Sequence, residues 1–126
     1  MIVGIHHVTF LSSDLARSRA FYEGVLGLQA DPNRPQLSFE GMWYDIAPHQ
    51  QIHLMLLPDP EAGLHRPIHG GRDRHVALAV TDWAKLIERL DHAHITYTFS
   101  QSGRRALFCR DPDQNALVFV EVHHSD

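Results

Sequence analysis

The chain has 126 residues, 44% of them hydrophobic and 21% charged, with a net charge of −4. Those values suit one compact folded domain, or two very small halves sharing a core, and leave no basic footprint for nucleic acid. The longest apolar run, Ile52 to Leu57, is interrupted by His53 and is far too short to span a bilayer. One cysteine, Cys109, excludes an internal disulfide and, with no basic region and apolar run of a signal peptide at the N-terminus, points to the cytoplasm.

In chain order, Met1 to Leu11 alternates and is rich in Val, Ile and Phe, which predicts a strand. Ser12-Ser13-Asp14 is an N-cap cluster. From Leu15, an apolar stripe through Phe21, Tyr22, Val25 and Leu26 predicts a helix closed by Gly27. A turn-rich stretch with Pro32, Asn33 and Pro35 leads to two strands, near Leu37 to Ile46 and Gln51 to Leu57. Residues 58–73 hold three prolines and three glycines and read as a linker. Beyond it lie a strand at His75 to Val80 and a helix capped by Thr81-Asp82, with Trp83, Leu86, Ile87 and Leu90 on one face. Strands at Ile95 to Phe99, Arg105 to Arg110 and Ala116 to Val122 complete the chain.

The order repeats. His7-Val8 opens a strand and Asp14 follows seven residues after the His; His75-Val76 opens another, and Asp82 again follows seven residues after. Each half reads as strand, helix, then two or three strands, and neither is long enough to bury a good core alone. Duplicated histidines at duplicated strand starts are a natural way to place ligands around one metal ion.

The segments "HHVTFLSSDLARSRAFYEGVLGL" and "RDPDQNALVFVEV" resemble the start and end of a vicinal oxygen chelate domain, the superfamily of glyoxalase I, fosfomycin-resistance enzymes, bleomycin-resistance proteins and extradiol dioxygenases. The resemblance covers essentially the whole chain. It implies an α+β fold in which two tandem βαβββ modules form a curved, cup-like mixed sheet with helices outside. Residues 1–126 would then be a single domain: module one at 1–57, linker at 58–73, module two at 74–122. Family members take metal ligands from the first and last strands of each module. Those positions match His7, His53 and His75, while the fourth, the Glu of the motif D-P-D-G-N-x-x-E, is Val118 here.

His7, His53 and His75 would make a three-imidazole face with open positions for water or substrate, suited to a divalent ion such as Zn, Ni, Fe or Mn. Strand parity puts Gln51, His53 and Met55 on one face, and Ala77 and Ala79 on the face of His75. Glu121 lies three residues after Val118, on the opposite face of a regular strand, and is a reserve ligand reachable only through a β-bulge. His6 should point outward. Of the eleven histidines, His65, His69, His92, His94, His123 and His124 fall in expected loops or helix ends and read as surface. Tyr44, Arg105, Phe108 and Val118 are the candidate substrate contacts. On the third strand of module two, one parity turns Arg105, Leu107 and Cys109 inward and the other Arg104, Ala106 and Phe108; an inward Arg would favour an anion and an inward Phe a stacking ring. Tyr22 and Cys109 read as core.

Two functions follow. One is a divalent-metal-dependent enzyme, lyase/isomerase or dioxygenase-like, acting on a small substrate with neighbouring oxygens. The alternative is a metal-free, bleomycin-resistance-like protein that binds a small molecule in an apolar pocket. Neither implies a nucleic-acid or membrane partner, and the resemblance implies a homodimer.

Overall fold

The computed structural model describes residues 1–123, so His124 lies outside the described residues. The chain divides into two units, Met1–Gly63 and Leu64–Asp126.

In unit one, β1 (His7–Ser12) is followed by α1 (Leu15–Arg19), β2 (Gln29–Ala30), β3 (Gly41–Ala47) and β4 (Gln50–Leu56). They form one sheet in the order β1-β4-β3-β2, with β1 parallel to β4 and the other pairs antiparallel. The expected strand over Met1 to Leu11 starts only at His7; Met1, Ile2, Val3 and Ile5 are exposed, and without a partner strand their alternation gains nothing. The Asp14 carboxylate accepts from Arg17 N and caps α1 as expected. After one turn the helix widens into a π-helical segment, Ala20–Val25, closed by a bond from Leu26 N to Phe21 O. Widening the turn brings Phe21 and Tyr22 into the core and leaves Val25 and Leu26 half-buried, whereas α spacing placed all four on one stripe. Gly27 then takes a left-handed φ of 71°, the conformation its lack of a Cβ permits.

The helical side of this sheet is fixed by register. Phe10 pairs with Leu54, Tyr44 pairs with Ile52, and Ser12 bonds Ser18 between buried hydroxyls 2.6 Å apart. Tyr22 stacks on Tyr44 with ring centroids 5.7 Å apart, and the Tyr44 hydroxyl donates to Glu23. Ile52, Leu54, Tyr22 and Tyr44 are almost wholly buried, and burying each such side chain contributes roughly 2 kcal/mol.

Unit two repeats the plan with β5 (His75–Val80), α2 (Trp83–His92), β6 (Tyr97–Phe99), β7 (Ala106–Arg110) and β8 (Ala116–Glu121), in the order β5-β8-β7-β6. Asp82 caps α2 through Lys85 N, and the helix buries Trp83, Leu86 and Leu90. Leu107, Cys109, Leu117 and Phe119 are buried on alternate positions of β7 and β8. Burial, with Asp111 nearby, pushes the Cys109 thiol up to about 12, so it is an inert core residue as expected. The two tandem βαβββ modules and the α+β class are therefore present, and among the described residues no helix is long and apolar enough to cross a membrane.

Candidate functional site

In unit one, the sheet face opposite the helix carries the chemistry. Directly paired residues share a face, so His7 and Gln51, Thr9 and His53, Trp43 and His53, and Gly41 and Met55 all point to that side. Trp43 and His53 stack with centroids 4.3 Å apart and planes 5° apart, and His53 and His7 stack at 4.0 Å and 13°. His53 is thus the middle ring of three and only 8% exposed.

A chain of hydrogen bonds sets its protonation. Gln51 Nε2 donates to Asp31 Oδ2 at 2.8 Å and to Asp45 Oδ1 at 2.9 Å. Both amide hydrogens are committed to carboxylates, so Gln51 Oε1 is what faces His53 Nε2, 2.8 Å away. A carbonyl oxygen only accepts, so His53 carries its hydrogen on Nε2 and keeps Nδ1 as a bare acceptor. Burial, followed by the charges of His7, His6 and Arg34, pushes His53 down to about 4, with Asp31 opposing. His53 is a neutral imidazole at neutral pH.

This has a direct consequence for stability. The unfolded chain regains a normal His and binds a proton from about pH 6.5 downward, while the folded chain refuses it until about pH 4. Stability should therefore fall as pH drops through that window, by on the order of 3 kcal/mol in full. His53→Phe keeps a ring between Trp43 and His7 and removes the titrating nitrogen. Urea unfolding at a series of pH values should show a flatter slope in that variant; an unchanged slope would assign the effect elsewhere.

The other predicted contacts divide by face. Tyr44 lies on the helix-covered side, wholly buried against Tyr22, and Trp43 occupies the open face in its place. In unit two, the parity that sequence left open is the one that turns Ala106 and Phe108 to the face of His75: Phe108 pairs with Val118, Val118 with Ala77, and His75 with Ala116. Phe108 lies 6.4 Å from the His75 ring and 4.7 Å from His69. Arg105 precedes β7 on the other parity and pairs with Glu121 at 3.5 Å. The β7–β8 register is regular throughout, without the bulge Glu121 would need to join Val118's face. His69, expected in a loop at the surface, is exposed there, caps the turn at Gly70–Arg72 by accepting from Gly71 N and stands against Phe108. Only its spacing of two from Gly71 hinted at that cap. His6 is exposed, with Nδ1 2.8 Å from His7 Nδ1.

Metal–imidazole bonds of roughly 2 Å lie in the ring plane, so two stacked rings with nearly parallel planes cannot both aim a lone pair at one ion. His53 Nε2 is already donating to Gln51, and the fourth position is Val118, an apolar residue 2% exposed. Among the described residues no group of three or more His, Cys, Asp or Glu side chains is placed to hold a metal ion. As placed, His7 and His53 do not fit one metal ion.

Residues 4–119 match the model of the Glyoxalase/Bleomycin resistance protein/Dioxygenase superfamily. An uncharacterized protein of Bacillus subtilis (strain 168), YwkD, is 30% identical over 127 residues, covering 96% of this chain and 98% of its own. Among solved structures, TnmS3, an antibiotic binding protein from Streptomyces sp. CB03234, superposes with a TM-score of 0.72 at 17% identity, covering 95% of this chain and 96% of its own. FosX, a fosfomycin resistance protein from Listeria monocytogenes complexed with Mn(II) and sulfate, superposes with a TM-score of 0.72 at 18% identity, covering 99% and 94%. At those identities the structural likeness is one of fold.

Proposed function

The chain belongs to the Glyoxalase/Bleomycin resistance protein/Dioxygenase superfamily, and from that premise we propose that it binds a small, planar, oxygen-bearing molecule on the open face of module one without a resident metal. The observation that carries this reading is the state of His53: neutral, tautomer-locked by Gln51, and sandwiched between Trp43 and His7. Such a strip offers a ligand ring a stacking surface and a ligand hydroxyl the bare Nδ1 as acceptor. TnmS3 supplies the precedent of an antibiotic-binding protein on this fold. A homodimer in the cytoplasm remains the expected setting; β1 and β5 each end their sheet and so present an edge to a second copy.

The metal-dependent enzyme is the second reading, with His7, His53 and His75 as ligands, and one observation favours it. His75 Nδ1 donates to the Asp73 carbonyl oxygen at 2.9 Å, which leaves Nε2 bare, the usual support of a ligating imidazole. FosX with Mn(II) is its precedent. For His53 to join, its ring would have to release Gln51 and turn out of the stack.

Catechol separates the two. In a Trp83→Phe variant, which leaves Trp43 as the reporter, catechol should quench fluorescence saturably and to the same extent with EDTA present as with Mn(II) or Zn(II). Quenching that appears only with metal would give the site to the second reading.

A further inference from the structure

We propose that Arg34 is an anion-recognition residue on the open face of module one, holding its guanidinium beside Gly41 to receive a carboxylate or phosphoryl oxygen of the ligand. The inference rests on the ligand-binding reading above and adds a charge requirement to it. Arg34 stands in the loop between β2 and β3. Its Nη2 donates to the Phe39 carbonyl oxygen at 3.0 Å, and its guanidinium carbon lies 5.7 Å from the Phe39 ring centroid. Those contacts hold the side chain in one place. They leave its Nε buried with no hydrogen-bond partner, and among the described residues no carboxylate is paired with it. A permanently charged group with a buried, unpaired donor is costly, and buried donors are normally satisfied.

The position is specific. Arg34 Nη2 comes within 3.1 Å of where a Cβ would stand on Gly41, and that Cβ would also collide with the Leu54 carbonyl oxygen, so only glycine leaves this approach open. In register, Gly41 stands opposite Met55, two residues beyond the Trp43–His53 pair. Arg34 is also among the charges that keep His53 neutral, as a cation close to that ring must. The face is therefore polarised. Asp31 and Asp45 sit at its Gln51 end, the ring stack in the middle, and Arg34 at its Gly41–Met55 end, roughly 13 Å along β4 from Gln51 at strand spacing. A ligand with an acidic group at one end and a hydroxyl or amine at the other matches that order. The guanidinium edge bearing Nε–H is the one that pairs two parallel donors with a carboxylate or phosphoryl group.

The rival account makes Arg34 a brace for its loop through Phe39. Titration of the full chain with benzoate, benzamide and inorganic phosphate, followed by the Arg34 Nε–H resonance and the Trp43 indole resonance, decides between them. Benzoate should move both signals saturably and bind at least tenfold tighter than its neutral isostere benzamide. Arg34→Gln should abolish that preference by weakening benzoate far more than benzamide. Arg34→Lys, which keeps the charge without the fork, should retain part of it and covers the case in which Arg34→Gln fails to fold. Phosphate moving only the Nε–H signal would identify a phosphoryl source and support the site. Equal binding of benzoate and benzamide, unchanged in Arg34→Gln, overturns the anion site and leaves the ligand-binding face standing. An Nε–H signal unmoved by any of the three also overturns it, and loss of benzamide and catechol binding as well would remove the ligand-binding reading itself.

Discussion

Asp111→Ala should lower stability by about 3–5 kcal/mol and the melting temperature by roughly 10–20 °C. The residue is 3% exposed and opens the turn between β7 and β8. Its Oδ1 accepts from Asp113 N at 2.9 Å and from Asn115 N at 3.0 Å, and its Oδ2 accepts from Asn115 Nδ2 at 2.8 Å. The backbone closes the same turn through Asp111 N to Asn115 O and Gln114 N to Asp111 O. Gln114 is held there at a φ of 70°, a left-handed conformation that a non-glycine residue adopts only under constraint. Removing the carboxylate strands three donors in a part-buried turn and releases that constraint. β8 starts at Ala116, immediately afterwards, and supplies Leu117, Val118 and Phe119 to the buried strand. Asp111→Asn keeps the shape but turns one acceptor into a donor, so it should fall between wild type and the alanine variant. Thermal unfolding followed by circular dichroism measures both; a change below about 3 °C for the alanine variant would contradict this account of the turn.

The chemistry of that turn is local: Asp, Pro, Asp and Asn at short spacing carry their own hydrogen-bond partners. The same holds for α2, whose cap and apolar stripe lie within one element, and for β5, found at the expected residues. Legibility failed where an outcome depends on distant partners. The alternation of Met1 to Leu11 could not say that only His7 onward finds β4. Nothing in the sequence announces the two-residue strand β2, which exists only as β3's partner. The parity of β7 was undecidable from a segment with arginine and apolar residues on both faces; pairing with β8 decides it.

The candidate site shows the same division. The duplicated His at each module's first strand was visible as a repeat, and the register confirms that His7 and His75 occupy equivalent places. Tyr44 and its neighbour Trp43 were exchanged in importance, because a strand's face is a one-residue distinction and an irregularity between Asp45 and Ala47 shifts the register close by. Arg34 was invisible: a lone arginine in a turn-rich stretch matches no motif, and its significance lies in a glycine seven residues later on a different element. The hydrogen bonds from Asp31 and Asp45 through Gln51 to His53 join β3, β4 and the loop after β2 and likewise leave no linear trace.

Val118→Glu, which restores the carboxylate position usual in the family motif, should destabilise the protein at neutral pH by about 3–5 kcal/mol relative to wild type. Val118 is 2% exposed and lies between Ala77 on β5 and Phe108 on β7, so the new carboxylate meets apolar neighbours on both sides. Burial disfavours its charged form and raises its folded-state pKa above the unfolded value of about 4.3. The folded state then holds the proton over a window in which the unfolded state has lost it. The deficit relative to wild type should accordingly be smallest below about pH 4.3 and grow as pH rises through that window. Comparing variant with wild type at each pH cancels the opposite slope that His53 contributes to both. Val118→Gln supplies the uncharged control and should show a deficit that does not grow with pH. Added Mn(II) or Zn(II) is the decisive arm. With the imidazoles stacked and His53 committed to Gln51, neither ion should recover the lost stability. Recovery in the Glu variant and not in the Gln variant would mean that the carboxylate completes a real centre with the histidines. The wild-type protein would then be a metal site lacking one ligand, and the metal-free reading would fail.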